Sequence, residues 1–485
     1  MGDLNERKNV LLICTDHWSG KYLGRAGNQT ILTPTLDQLV DSGVHFTNCY
    51  SECPICIPAR RSLMTGMSPR IHGDRTQSVY MKMPDVKTLA QTFRDNGYQA
   101  YAVGKLHVYP QRNRIGFDDV ILMEEGRCQY GVMDDYQIWL GEQGYAGQEF
   151  LHGMPNNGYE TRPWHLPEET HPTSWATRQM IKLIKRRDTT RPGFFYLSYA
   201  FPHPPLVPLQ SYLDMYRDEP IEDPVEDDWN DTDVFPMKAL TTKTKKHGRR
   251  QKNAAIRAFY AQCTHIDHQI RLLIGTLREE GLLDNTVIAF TADHGDMLFN
   301  HNMVAKRTFY EYAAKIPFIV SGKPVQDKRG VRDERLVGIS DVMPTLLDIC
   351  DIEIPASVDG ISAFSDSKRE MLYGEVNEND TASRMVHDGK FKLIYYPVGN
   401  YLQLFDLQND PDERYNIAGQ STYTEVRNKL MRFLIDSLYK GDEKWLVDGK
   451  LVGLADKTYK ASPNYYLGGQ RGGHWPQPTI INLTD

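Results

Sequence analysis

Four short runs along the chain are almost continuously apolar and then turn sharply polar: NVLLICTDH (9–17), YQAYAVGKLH (98–107), GFFYLSYAFPHPP (193–205) and NTVIAFTADHGD (285–296). They are rich in β-branched and aromatic residues, the pattern of strands buried on both faces of a parallel sheet. Between them lie segments with helical spacing, TLDQLVDSG (35–43), TLAQTFRDNG (88–97) and ATRQMIKLIKRR (176–187). Strands alternating with helices predict an α/β domain with a large, mostly parallel sheet flanked by helices.

After about Glu370 the pattern changes. RMVHDGKFKLIYYP and YLQLFDL read as antiparallel strands, with turns at Asp388-Gly389 and Gly399-Asn400. TYTEVRNKLMRFLIDSLYKG reads as an amphipathic helix with Val426, Leu430, Phe433, Leu434 and Leu438 on one face and a stop at Gly441. The organisation expected is a catalytic α/β domain over 1–370 and a smaller α+β domain with an extended tail over 371–485. Two divisions suit 485 residues, more than one ordinary core.

The polar residues that end the four strands carry the chemistry. They are Asp16 and His17, Lys105 and His107, His203, and Asp293 with His294. In open α/β sheets ligands bind beyond the carboxyl ends of the strands. Carboxylates with imidazoles suit a divalent metal, and cations around them suit an anionic substrate.

The stretch CPICIPARRSLMTG (53–66) bears on the same crevice. Its Cys53/Cys56 spacing fits a redox pair or half a zinc site, but no second CxxC exists among the seven cysteines. Pro58 suits a first helical turn, which places Cys56 at a helix N-terminus with Arg60 one turn along the same face. Backbone N–H groups there favour negative charge.

C-I-P-A-R followed by SLMTG resembles the signature of the sulfatase family. LLICTDH, GYQAYAVGKLH, FPHPPLVP, NTVIAFTADHGDMLFNHNMVAKRTFYE and LFDLQNDPDERYNIA resemble further family segments in the same order. The resemblance implies an alkaline-phosphatase-like fold and hydrolysis of a sulfate ester, on a sulfated sugar or similar small substrate. It implies that Cys56, not Cys53, is oxidised to formylglycine (3-oxoalanine) by a maturation enzyme. Asp16, Asp293, His294 and the modified Cys56 would hold a divalent metal, Ca²⁺ before Mg²⁺ or Mn²⁺. Arg60 would stabilise the formylglycine hydrate, and Lys105, His203 and Lys306 would grip sulfate. His203 or Lys306 would protonate the leaving alcohol, with His107 the base that regenerates the aldehyde. The chain departs from the pattern at His17, where many relatives carry Asp or Gln, and at Ala59, where Ser is commonest. His17 stays open as a ligand.

A phosphonate monoester or phosphodiester hydrolase of the same superfamily, or a binder that keeps only the fold, are the alternatives. The Lys105/His107 pair favours the sulfatase. A net charge of -7 gives no face for nucleic acid, and no apolar run reaches the roughly 20 residues that span a bilayer. The acidic N-terminus does not read as a secretory signal, so a cytoplasmic location is expected, with a homo-oligomer open. Residues 108–175, with Arg112, Arg114, Arg127, Trp139, Trp164, His165 and Trp175, read either as substrate subsites or as a loop over the sheet. DEPIEDPVEDDWND and KTKKHGRRQK read as a solvated charged loop, and the tail bearing Arg471, His474 and Trp475 as a segment reaching the crevice or a second subunit.

Overall fold

The computed structural model describes residues 7–126, 132–230, 234–241 and 247–460. Its large sheet comprises β1 (Asn9–Asp16), β2 (Gly43–Tyr50), β3 (Gln99–Gly104), β4 (Asp119–Leu122), β5 (Gly193–Pro202), β6 (Thr286–Ala292), β7 (Phe318–Ser321) and β8 (Val331–Gly338). Their order is β4-β3-β5-β1-β6-β7-β2-β8, parallel except for β7. The four apolar runs are thus the central block β3-β5-β1-β6. Ile13 stands opposite Leu197 on one side and Phe290 on the other. Every residue of β1, β5 and β6 is buried, which explains why these strands read as continuous apolar runs.

The register of β1 against β5 shifts between Cys14 and Asp16, so that Asp16 faces Pro202. This irregularity brings Asp16 and the residue after Pro202, His203, to one edge of the crevice. Helices cover the sheet, among them Pro34–Asp41, Leu89–Asp95, Pro172–Lys185 and Arg249–Glu279. The last was not anticipated. Its buried Phe259, Cys263, Ile266, Ile270, Leu273 and Leu277 follow helical spacing, but its first turn falls in the basic run that suggested a loop. The acidic stretch before it is also anchored, since buried Trp229 stacks on Tyr310 with ring centroids 4.7 Å apart.

The C-terminal sheet is an antiparallel meander of β9 (Leu372–Val376), β10 (Ser383–His387), β11 (Phe391–Tyr396) and β12 (Tyr401–Asp406). Its hairpins turn at the two expected dipeptides, with Gly389 at φ +93° and Gly399 at +71°. Helix Thr424–Ser437 buries Leu430 and Leu434 against it, and Leu438 just past its end is buried too. Phe433 is 36% exposed and lies off that face, and the helix stops before Gly441. One apolar cluster joins this sheet to the catalytic side: Val376, Met385, Ile394 and Phe405 pack with Tyr50, Cys53, Ile55, Met297, Met303 and Phe309.

The arginines and aromatics of 108–175 mostly serve the excursion itself. Arg112 pairs with Asp135 at 2.7 Å and Arg114 donates to the Asp118 carbonyl at 2.6 Å. Trp164 and Trp175 are buried, and Trp139 packs beside Trp175 and Tyr136. His165 bonds the Gln148 carbonyl. These described side chains fit the loop-over-the-sheet alternative; Arg127, like Arg471, His474 and Trp475, lies outside the described residues. No described helix is long and apolar enough to cross a membrane.

Candidate active site

Cys56 opens the helix Cys56–Thr65, with Ile55 extended before it and every residue of the helix buried. Its Sγ accepts from Lys306 Nζ at 2.9 Å and lies 3.3 Å from His294 Nε2 and 3.8 Å from Asp16 Oδ1. Burial and the Asp16 carboxylate push the thiol up, yet Lys306, Lys105 and His294 together bring it well below its ordinary value. Cys53 is the opposite case. It sits in the apolar cluster under the C-terminal sheet, and burial pushes its thiol well above the usual range.

The carboxylates come from the ends of adjacent strands. Asp16, Cys56, Asp293 and His294 each offer a ligand atom, all within 4.8 Å of one another. Burial, then the charge of Asp16, pushes Asp293 up to about 7, while Lys105 and Lys306 overcome burial to hold Asp16 well below the carboxylate range. Two buried carboxyls that cannot both ionise comfortably are what a divalent cation would relieve, so the donor set fits one. Arg60, on the expected face, donates to Asp293 Oδ2 at 3.0 Å and Asp16 Oδ2 at 3.1 Å, and to Ser198 Oγ and the Lys105 carbonyl. These bonds place Arg60 among the two carboxylates, beside β5 and the end of β3.

Lys105 leaves β3 through Gly104, at φ +99°, where a Cβ would stand 1.9 Å from the Ser198 carbonyl oxygen. Its Nζ then donates to Asp16 Oδ2 at 2.5 Å. His203 is buried with its Nδ1 2.5 Å from the Pro204 carbonyl. His107 is placed by its backbone, at φ +58°, with its N–H on Glu124 Oε1 at 2.9 Å.

His17, at φ +72°, is held from both nitrogens. Nε2 accepts from Lys306 Nζ at 2.5 Å, so Nδ1 carries the proton and donates to Asp296 Oδ2 at 2.6 Å. Burial and Lys306 hold this imidazole down at about 4. Asp16, His17 and His203 form a second group with ligand atoms within 4.8 Å.

A family model for sulfatases matches residues 8–352, and one for the C-terminal part of N-sulphoglucosamine sulphohydrolase matches 299–440. An arylsulfatase of Clostridium perfringens is 33% identical over 478 residues, covering 94% of this chain and 99% of its own. The chain belongs to the sulfatase family. A Δ4,5-hexuronate-2-O-sulfatase of Bacteroides thetaiotaomicron is 24% identical, with 91% of this chain and 90% of its own covered. Among solved structures, the phosphonate monoester hydrolase of Agrobacterium radiobacter superposes with a TM-score of 0.76 at 21% identity, covering 89% of this chain and 95% of its own. The alkaline-phosphatase-like fold expected of a sulfatase is the one found.

Several residues that support this sulfatase site were not anticipated. Asp296, the last residue of the DHGD run, accepts from His17 and, at 2.5 Å, from Tyr159 Oη with one oxygen. Its other oxygen accepts from Leu298 N at 2.8 Å and Ala305 N at 3.1 Å. It therefore ties together the loop that delivers Lys306. Glu124 Oε1 accepts from the amides of Leu106 and His107, and burial pushes its carboxyl up to about 7. Glu125, buried at φ +54°, places Oε2 3.1 Å from Lys105 Nζ and Oε1 3.7 Å from His203 Nδ1. The Asp296 position could have been read from its distance to the metal pair. Glu124 and Glu125 lie in a loop with no periodic signal.

Proposed function

We propose that this sulfatase cleaves a sulfate ester on a sulfated sugar, using Cys56 matured to formylglycine and a divalent metal held by Asp16, Asp293, His294 and residue 56. The observation that carries the reading is the meeting of Lys306, Lys105, His294 and Asp16 around a single buried cysteine at a helix N-terminus. A bound metal would supply Lewis-acid stabilisation of charge on the sulfate oxygens. Formylglycine would supply, once hydrated, a nucleophile able to shed sulfate rather than retain it. Ca²⁺ is the proposed ion, on the strength of the two carboxylates and the oxygen that would replace sulfur, with Mg²⁺ and Mn²⁺ next.

Around these, the chain's own residues have distinct tasks. Lys105, Lys306 and His203 receive the ester's peripheral and leaving oxygens. Arg60 fixes Asp16 and Asp293 in one arrangement by bonding both. His107 is the base of the release step. Sugar as the leaving group is supported by the relative that acts on a hexuronate 2-O-sulfate.

The test pairs maturation with turnover. Aldehyde-specific labelling of enzyme from a maturation-competent host should mark the Cys56 peptide, and specific activity should scale with the labelled fraction. Turnover should be faster for aryl and sugar sulfates than for a phosphodiester or phosphonate. Labelling on Cys53, or a phosphonate turned over faster than every sulfate, would overturn the proposal in favour of the hydrolase alternative.

A further inference from the structure

We propose that Glu125 sets the charge selectivity of the anion pocket, favouring ester groups with a single negative charge over dianions. The inference rests on the assignment of Lys105 and His203 to that pocket. Glu125 is buried, and its carboxylate reaches both groups, 3.1 Å from Lys105 Nζ and 3.7 Å from His203 Nδ1. Lys105 is therefore shared between two carboxylates, Asp16 at 2.5 Å and Glu125.

A buried carboxylate next to sulfate-gripping groups weakens the binding of every anion. It is also held there against backbone preference, because a glutamate at φ +54° is strained. A repulsive element of this kind makes sense as discrimination. Among the described residues, Arg60 bonds Asp16 and Asp293, Lys105 bonds Asp16 and Glu125, and Lys306 touches Cys56 and His17. Glu125 thus sets a further carboxylate against a lysine that the substrate anion also needs. A sulfate monoester and a phosphodiester each bring one negative charge, and a phosphate monoester near neutral pH brings two. The second charge meets Glu125 in a poorly screened site, where repulsion is strong.

The experiment compares the holoenzyme with Glu125→Gln and Glu125→Asp on three esters of one leaving group: 4-nitrophenyl sulfate, 4-nitrophenyl phosphate and methyl 4-nitrophenyl phosphate. In Glu125→Gln the kcat/KM ratio of phosphate monoester to sulfate should rise at least about tenfold, as expected for one unit of charge removed at close range. The ratio of diester to sulfate should hold. Glu125→Asp should keep the wild-type ratios. Loss by one common factor on all three esters would mean that Glu125 only positions Lys105, and would overturn the proposal.

If the wild type turns over the diester but no sulfate, the sulfatase reading fails, while the monoester-to-diester ratio still decides the role of Glu125. Should Glu125→Gln not fold, the wild type gives the answer by competitive inhibition. Inorganic phosphate should inhibit more weakly as pH rises past its second ionisation, measured against sulfate ion, which does not titrate there. Undiminished or stronger inhibition by the dianion would overturn the proposal.

Discussion

Replacing Lys306 with alanine removes a cation that touches both Cys56 and His17, at 2.9 and 2.5 Å. A sulfate group attacked from residue 56 lies one bond length beyond Sγ, and unit charges about 4 Å apart interact by roughly 4 kcal/mol at an effective dielectric near 20. Lys306 is only partly buried and Lys105 remains, which lowers the figure. Loss of a single stabilising donor is worth about 2.7–4 kcal/mol in comparable sites. About 3 kcal/mol corresponds to a loss of roughly 10² in rate. The assay is kcat and kcat/KM on aryl sulfates of graded leaving-group acidity, scaled to the aldehyde content of each preparation. Both parameters should fall together, and the loss should grow as the leaving alcohol becomes less acidic if Lys306 also donates the proton. A loss below threefold, or one confined to KM, would refute the assignment, because it would mean uniform binding with no transition-state role.

Three further outcomes follow from the same geometry. Asp293→Asn should lower metal content at a fixed free-metal concentration by tenfold or more, read by elemental analysis. Unchanged content would remove Asp293 from the ligand set. Glu124→Gln keeps the shape but weakens the acceptor for the Leu106 and His107 amides, and should reduce kcat about tenfold or more with little change in KM. Equal KM and kcat effects would contradict a role in fixing His107. Burial and the Asp341 carboxylate raise Glu52, which accepts from Ser340, from 4.5 to about 7. Its protonated form is the one the fold favours, so its contribution is complete below pH 4.5 and is lost as pH rises through about 7. Denaturant titrations should show Glu52→Gln losing less stability than wild type across that interval.

The central strands and the groups at their ends were legible because burial on both faces leaves nothing else for such runs to be. Asp16, Lys105, His203 and Asp293 could be read as one site from their positions in the chain, since parallel strands deliver their C-terminal residues to one edge. Cys56 was legible only through the motif around it; spacing alone pointed to a pair with Cys53, and what separates the two thiols is electrostatic surroundings supplied by distant segments. Arg60 shows the limit of reading by helix face: its partners, two carboxylates at the ends of neighbouring strands, are set by how those strands pair. Glu125 and Asp296 act through loops whose left-handed residues, such as Leu298, Phe299 and Ala305, are set by tertiary contacts. The long helix was obscured because its basic first turn resembles a solvated loop.

Cys56 is 1% exposed, on a helix whose residues are all buried, and the preceding Ile55 belongs to the apolar cluster that holds the C-terminal sheet. A maturation enzyme that had to grasp several residues around this thiol would have no purchase on the finished molecule. If residue 56 is matured as proposed, conversion would have to precede closure of the fold, and a chain that closed first would keep its sulfur. Preparations would then be mixtures fixed at synthesis, identical in shape and divided between competent and inert copies. Adding the maturation enzyme afterwards would not alter the division, and the proportion would record how long the emerging chain stayed open.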